Sequence, residues 1–162
     1  MKLRHIESLS ELRRLSRQWD ELWARSSSTI PTHRAELVAQ WVEHFANGKP
    51  FHALAVEDNG QFVAALPLIA ERKIGVKIAK LTSNSWCGCG DLLVDSTSNV
   101  EQAMRVMAQG ERHIGSPLLM FDGVDLDDAA WSQWIAARPQ RDAPATKPKY
   151  RIGLIDITHD WD

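Results

Sequence analysis

The residues best equipped for chemistry stand close together in SNSWCGCGDLLVD, residues 83–95, which holds both cysteines of the chain, Cys87 and Cys89. Four chemistries are open to such a stretch. A structural zinc site needs three or four ligands, and only two thiolates come from here, with a histidine such as His52 to be found elsewhere. A redox pair normally uses Cys-x-x-Cys at a helix start, and Cys-x-Cys would close a strained ring. A nucleophilic cysteine needs a base and a group to orient it, so His52 or His113 would have to fold close by. The fourth reading is a tight connection between two strands, in which Gly88 and Gly90 supply positive φ angles and the small cysteines pack semi-buried. The residue types favour the turn.

The same stretch carries polar and amphipathic groups suited to binding. Asn84, Ser85, Trp86 and Asp91 would suit an acceptor such as a sugar or a peptide: Trp86 by stacking on a ring, Asp91 by accepting from a hydroxyl or an amine. The plainer alternative is that Trp86 packs on the sheet edge and Asp91 caps the turn. Elsewhere the candidates thin out. The six histidines are scattered, with His33 near a helix start and His44 on a helix flank, and their spacing reads as surface positions. Asp125, Asp127 and Asp128 lack the glycine and distal glutamate of a calcium loop, and a helix N-terminus accounts for them. No metal site and no catalytic residue is assigned from the sequence.

Composition narrows the class. The chain has 162 residues, 44% of them hydrophobic and 25% charged, which suits a single domain with a real core. The net charge of −2 argues against a nucleic-acid binder. No apolar run approaches the roughly 20 residues that span a bilayer. MKLRHIESLSELRRL has no apolar signal segment, so cytoplasmic residence is expected, and two cysteines do not make a disulfide framework.

The elements that must position these groups follow from periodicity. LRHIE (3–7) reads as a first strand. Leu12, Leu15, Trp19, Leu22 and Trp23 mark a first helix. Leu37, Val38, Trp41, Val42 and Phe45 mark a second, with Thr32 as N-cap and Asn47-Gly48 as the stop. The period then changes to two around Asp58-Asn59-Gly60, a strong hairpin signal, and a further strand is expected at 76–83. Ser98 and Glu101 have capping-box spacing before a helix that buries Val100, Ala103, Met104 and Met107. PLLMFDGV reads as a short buried strand, DLDDAAWSQWIAARP as a short helix and YRIGLIDI as a last strand. Strands joined through helices are expected to lie parallel and the central hairpin antiparallel.

PTHRAELVAQWVEHFANGKPFHALAVEDNGQFVAALPLIAER, with CGDLLVD (89–95) and YRIGLIDITHDWD, resembles the N-terminal half of double-GNAT proteins of the cellulose or polysaccharide-biosynthesis type, relatives of the Fem-type aminoacyl transferases. The resemblance implies an α/β GNAT-like mixed sheet with an antiparallel central meander and helices on both faces. It implies residues 1–150 as a GNAT-like domain and 151–162 as the last strand and the start of a second domain. The reaction implied is acyl transfer from a donor such as acyl-CoA to an amine or hydroxyl, by a chain that acts only as part of a larger two-domain protein. The chain departs from the pattern in two places. SWCGCGDLLVDSTSNVEQ stands where catalytic GNAT domains have a glycine-rich turn whose N–H groups hold the donor's pyrophosphate, and VKIAKLTSN lacks a carboxylate base. Catalysis by this chain alone is therefore not expected. The alternative is a non-catalytic acceptor-binding or assembly module. Expected partners are the chain's own second domain, a small-molecule or sugar acceptor and a second copy; nucleic acid and membrane insertion are not expected.

Overall fold

Alternation within the β-strands decides the architecture. The computed structural model describes residues 1–28, 30–84, 86–138 and 145–147. Strand β2 (Phe51–Asp58) sends Phe51, Ala53 and Ala55 to one hydrophobic cluster and Leu54 and Val56 to another. With both faces covered, helices must lie on both. The first face carries α1 (Leu9–Arg14), α2 (Ser16–Arg25) and α3 (Ala35–Phe45), which bury Leu12, Trp19, Leu22, Val38 and Trp41. The second carries α4 (Val100–Gly110) and α5 (Ala129–Ala136), through Ala103, Met104, Met107, Trp131 and Trp134. Removing these side chains from water is the main stabilising term, roughly 25 cal/mol per Å² of apolar surface.

The sheet runs β1-β2-β3-β4-β6, with β1 Lys2–Ile6, β3 Gln61–Lys73, β4 Val76–Leu81 and β6 Leu118–Met120. The β2–β3 turn is the expected one: Asn59 and Gly60 have φ of 49° and 81°, the two positive values a two-residue hairpin requires. β4 and β6, joined through α4, are parallel as expected. β1 and β2 are joined through helices and yet pair antiparallel, because three helices, and not one, separate them and return the chain in the opposite sense. The mixed sheet with helices on both faces is thus the observed fold class.

Local details differ from the sequence reading where tertiary partners intervene. The first helix is two, broken at Leu15 (φ −99°, ψ 7°). Thr32 does not cap α3. A 3₁₀ turn, Pro31–His33, precedes it, and Asp20 of α2 accepts from the Ala35 N–H instead. The α4 cap is Asn99, whose side chain accepts from the Gln102 N–H, while Glu101 pairs with Arg105, so the capping box is not made. Among the described residues β6 lies at the edge of the sheet, with Leu118 half-exposed, and is not a buried strand. The last strand read at YRIGLIDI lies outside the described residues. Among the described residues no helix is long and apolar enough to cross a membrane.

Candidate functional site

Strand β3 has two partners along the same edge. Its C-terminal half, Leu68–Lys73, pairs with β4. Further back, Ala64 and Ala65 pair with the short strand β5, Leu93–Val94, which runs in the same direction as β4. β4 and β5 therefore lie on one line, interrupted by residues 82–92. The gap falls opposite Leu66 and Pro67, and proline has no N–H to give a ladder. β6 follows β4 over Ile78–Lys80 only. Beyond that point β5 stays with β3, and the two lines part.

The interruption is a built structure. Ser83 and Gly88 bridge, and the Asn84 N–H donates to the Cys87 carbonyl, closing a small hairpin. Asn84 Oδ1 accepts from the N–H groups of Trp86 and Cys87, both at 2.9 Å. Thr32 Oγ1 donates to the Gly88 carbonyl at 2.8 Å, and Thr82 Oγ1 to that of Cys89. Cys89 is buried, with Sγ 3.1 Å from the Thr32 carbonyl and 3.3 Å from that of Leu37. Gly90 has φ +117°, and a Cβ there would overlap Thr82 Oγ1 and come within 2.7 Å of Pro67 Cγ. Gly88 is not in the left-handed region, so only one of the two glycines plays the expected part.

The surroundings of Cys89 bear on its chemistry. Burial, with Cys87 beside it, pushes the Cys89 thiol up to about 12, far from the thiolate a nucleophile needs. His52, considered as its base, is hydrogen-bonded to His5 instead. The turn reading is the one the structure bears out.

The four candidate binding residues divide. Asn84 and Trp86 share the hairpin tip. Asn84 spends its acceptor on the local backbone, and Trp86 is 96% exposed, so it does not pack on the sheet edge. Ser85 lies outside the described residues. Asp91 stands at the root. Its Oδ1 accepts from the Leu92 N–H at 2.7 Å and from Trp131 Nε1 of α5 at 2.9 Å. Trp131 in turn packs on Phe121 and Trp134, with ring centroids 5.0 and 5.6 Å away. Burial raises the Asp91 pKa, against the hydrogen bonds and the nearby His33, which lower it. Burial likewise lowers that of His33, which is 4% exposed and shares a 2.7 Å hydrogen bond with Ser28 Oγ. Asp91 and His33 thus act on one another electrostatically, a carboxyl raised and an imidazole lowered by burial, which marks the pair as a candidate for proton transfer. The sequence missed His33 because its burial, and the approach of Asp91 from far along the chain, are made by the fold. The Trp-Cys-x-Cys-x-Asp run was the available signal for Asp91.

The turn that leads into α4 has a different character. Asp95, buried, follows β5. Its Oδ1 accepts from the Thr97 N–H at 3.0 Å and from Thr97 Oγ1 at 2.6 Å, and its Oδ2 from Arg25 Nε at 2.7 Å. The Ser98 N–H goes to the Asp95 carbonyl and the Gln102 N–H to Asn99. Burial works to raise the Asp95 pKa, but the bonds from Thr97 and Arg25 outweigh it and hold the carboxyl below its usual range.

No protein-family model matches the chain, and no curated protein matches it. Solved structures do. An aminoglycoside acetyltransferase from an uncultured soil metagenomic sample superposes with a TM-score of 0.57 at 12% identity, covering 96% of this chain and all of that one. A probable acetyltransferase gives 0.53 at 8% identity, over 99% of this chain and all of its own. The ribosomal-protein-alanine N-acetyltransferase of Brucella melitensis biovar Abortus 2308 gives 0.52 at 11% identity, over 95% and 100%. At these identities the likeness is one of fold: the chain has the GNAT acetyltransferase fold.

Proposed function

We propose that this chain is the acceptor-binding, N-terminal domain of a two-domain acyltransferase of the polysaccharide-biosynthesis type, with residues 1–150 as the domain and 151–162 as the start of the second. The observation that carries this reading is the turn before α4. In the GNAT fold that turn offers free N–H groups and a positive helix end to the donor's pyrophosphate. Here Asp95 takes the Thr97 N–H, other N–H groups of the turn are spent locally, and the Asp95 carboxylate, ion-paired with Arg25, occupies the place of an anion. Acyl-CoA is then a substrate held chiefly by the second domain.

The acceptor side is better furnished. Asp91 at the parting of β5 and β6 would take an amine or hydroxyl, His33 would share its proton, and the exposed Trp86 would stack on a sugar ring. The reaction as a whole is attack of that amine or hydroxyl on the thioester carbonyl, with the thiol of the donor leaving.

Thermal shift on the full chain tests this. An aminosugar or a peptide amine raises the Tm, acetyl-CoA does not, and Asp91→Asn removes the acceptor's effect while the fold persists. Saturable binding of acetyl-CoA, with turnover by this chain alone, would overturn the reading.

A further inference from the structure

Strand β1 ends in His5-Ile6 and is followed by Glu7. Ile6 enters the cluster under α1–α3, so His5 and Glu7, one residue to either side, belong to the opposite face. Leu3, two residues earlier, packs into the α4–α5 cluster on that face. His52 of β2 lies between Phe51 and Ala53, which also enter the α1–α3 cluster, and so shares the α4 face. The β1–β2 register ends at Ile6↔Ala53, and its next rung sets Glu7 opposite His52, with His5 on the diagonal.

The result is close-set donors. His5 Nε2 and His52 Nδ1 are hydrogen-bonded at 3.1 Å, and Glu7 Oε1 lies 3.5 Å from the other nitrogen of the His5 ring, Nδ1. One ligand atom from each of the three residues can be chosen so that all lie within 4.8 Å of one another. The 3₁₀ turn Glu111–Ile114, which follows α4, brings the exposed His113 ring to 6.3 Å from that of His5. Zinc bonds to imidazole nitrogen at about 2.0–2.1 Å in tetrahedral geometry, which sets two ligand nitrogens roughly 3.3 Å apart. The observed nitrogen separation is within a few tenths of an ångström of that.

We propose that His5, Glu7 and His52 form a site for a divalent first-row transition ion, with zinc as its probe, and that the ion clamps the edge strand β1 to β2. Two imidazoles and a carboxylate are a ligand set of intermediate softness that suits zinc and excludes calcium, which takes oxygen ligands only. Loading tilts the two rings out of their near-parallel stacking, 15° between planes, because each lone pair lies in its own ring plane. Glu7 and Glu11 are the acidic groups near His5, and Lys77 is the basic group near His52. The site lies apart from Asp91 and is independent of the acyl-transfer reading.

Titration of the full chain with zinc, followed by calorimetry, tests the proposal. One equivalent binds, and the Tm rises. His5→Gln combined with His52→Gln abolishes binding, while Glu7→Gln weakens it by at least the roughly 10–100-fold typical of losing a supporting carboxylate. Cobalt gives a nitrogen–oxygen spectrum with no sulfur charge-transfer band, and Cys87→Ser leaves it unchanged. Imidazole nitrogen shifts in the unmodified protein report the site with no substitution at all: His5 and His52 both move at saturation. Absence of saturable one-to-one binding overturns the proposal. So does binding that survives the double substitution, a sulfur band, or unmoved His5 and His52 resonances.

Discussion

The two ends of the β3–β4/β5 edge solve the same problem in opposite ways. At one end β3 turns into β4 through Ile74-Gly75, two residues with φ of 51° and 80°, and little but backbone is involved. At the other end the strand line breaks for residues 82–92 and resumes as β5. There the path is fixed by side chains from elsewhere, with Thr32 reaching Gly88, Cys89 lying against Thr32 and Leu37, and Trp131 held by Asp91. The first kind of turn is local and cheap. The second costs ordering entropy, offset by tertiary contacts, and in return it sets polar groups at a place where strands part.

The comparison breaks most readily at Gly90. Gly90→Ala meets a left-handed φ, Thr82 and Pro67 together, and we expect a loss of about 3 kcal/mol by denaturant unfolding, from backbone strain plus overpacking. The same substitution at Gly75, which has φ +80° but open space around it, loses about 1 kcal/mol, and equal losses at the two sites would refute the contrast.

Asp95 closes the interrupted end. Asp95→Ala leaves Arg25 Nε and Thr97 without the Asp95 acceptor and is expected to lose about 2 kcal/mol, a figure reduced because Arg25 is 32% exposed and its Nη2 keeps the Phe62 carbonyl. Since the folded-state pKa of Asp95 is depressed, its contribution is present above the unfolded carboxylate value. It fades as pH falls through the folded value, so wild type and variant should converge in acid.

Asp91 has the opposite sign. Its folded pKa is raised, so its ionisation subtracts stability as pH rises from the unfolded value through the folded one, and the loss persists above. Asp91→Asn keeps an oxygen for Trp131 and removes the titration. The variant should gain on wild type across that window, measured as ΔG against pH, while losing acceptor binding. A variant that weakens uniformly at every pH would assign Asp91 a purely structural part.

The smallest effect belongs to the hairpin end. Ile74 is β-branched, left-handed and 96% exposed, so Ile74→Asn should stabilise by about 1 kcal/mol with no change in ligand response.

What could be read from the sequence follows the same division. Asn59-Gly60 announced its hairpin because a type I′ turn is specified by the two residues that make it. Leu12, Trp19 and Leu22, and Ala103, Met104 and Met107, announced their helices because a buried face imposes its period on the chain. The mixed sheet covered on both sides followed from the order of such elements. Asp91 is legible as a polar group beside a turn, but its raised pKa comes from the burial that the fold creates, against the hydrogen bond from Trp131. The His5–Glu7–His52 cluster was invisible for a related reason. His5-x-Glu7 shares a face by strand alternation, but only the β1–β2 register carries His52 to the same spot. The antiparallel sense of that pairing was itself misjudged. Local periodicity and turn chemistry thus belonged to the sequence, since they act over a few residues. Tertiary structure alone decided which distant side chains meet, because that depends on register and on how three helices return the chain.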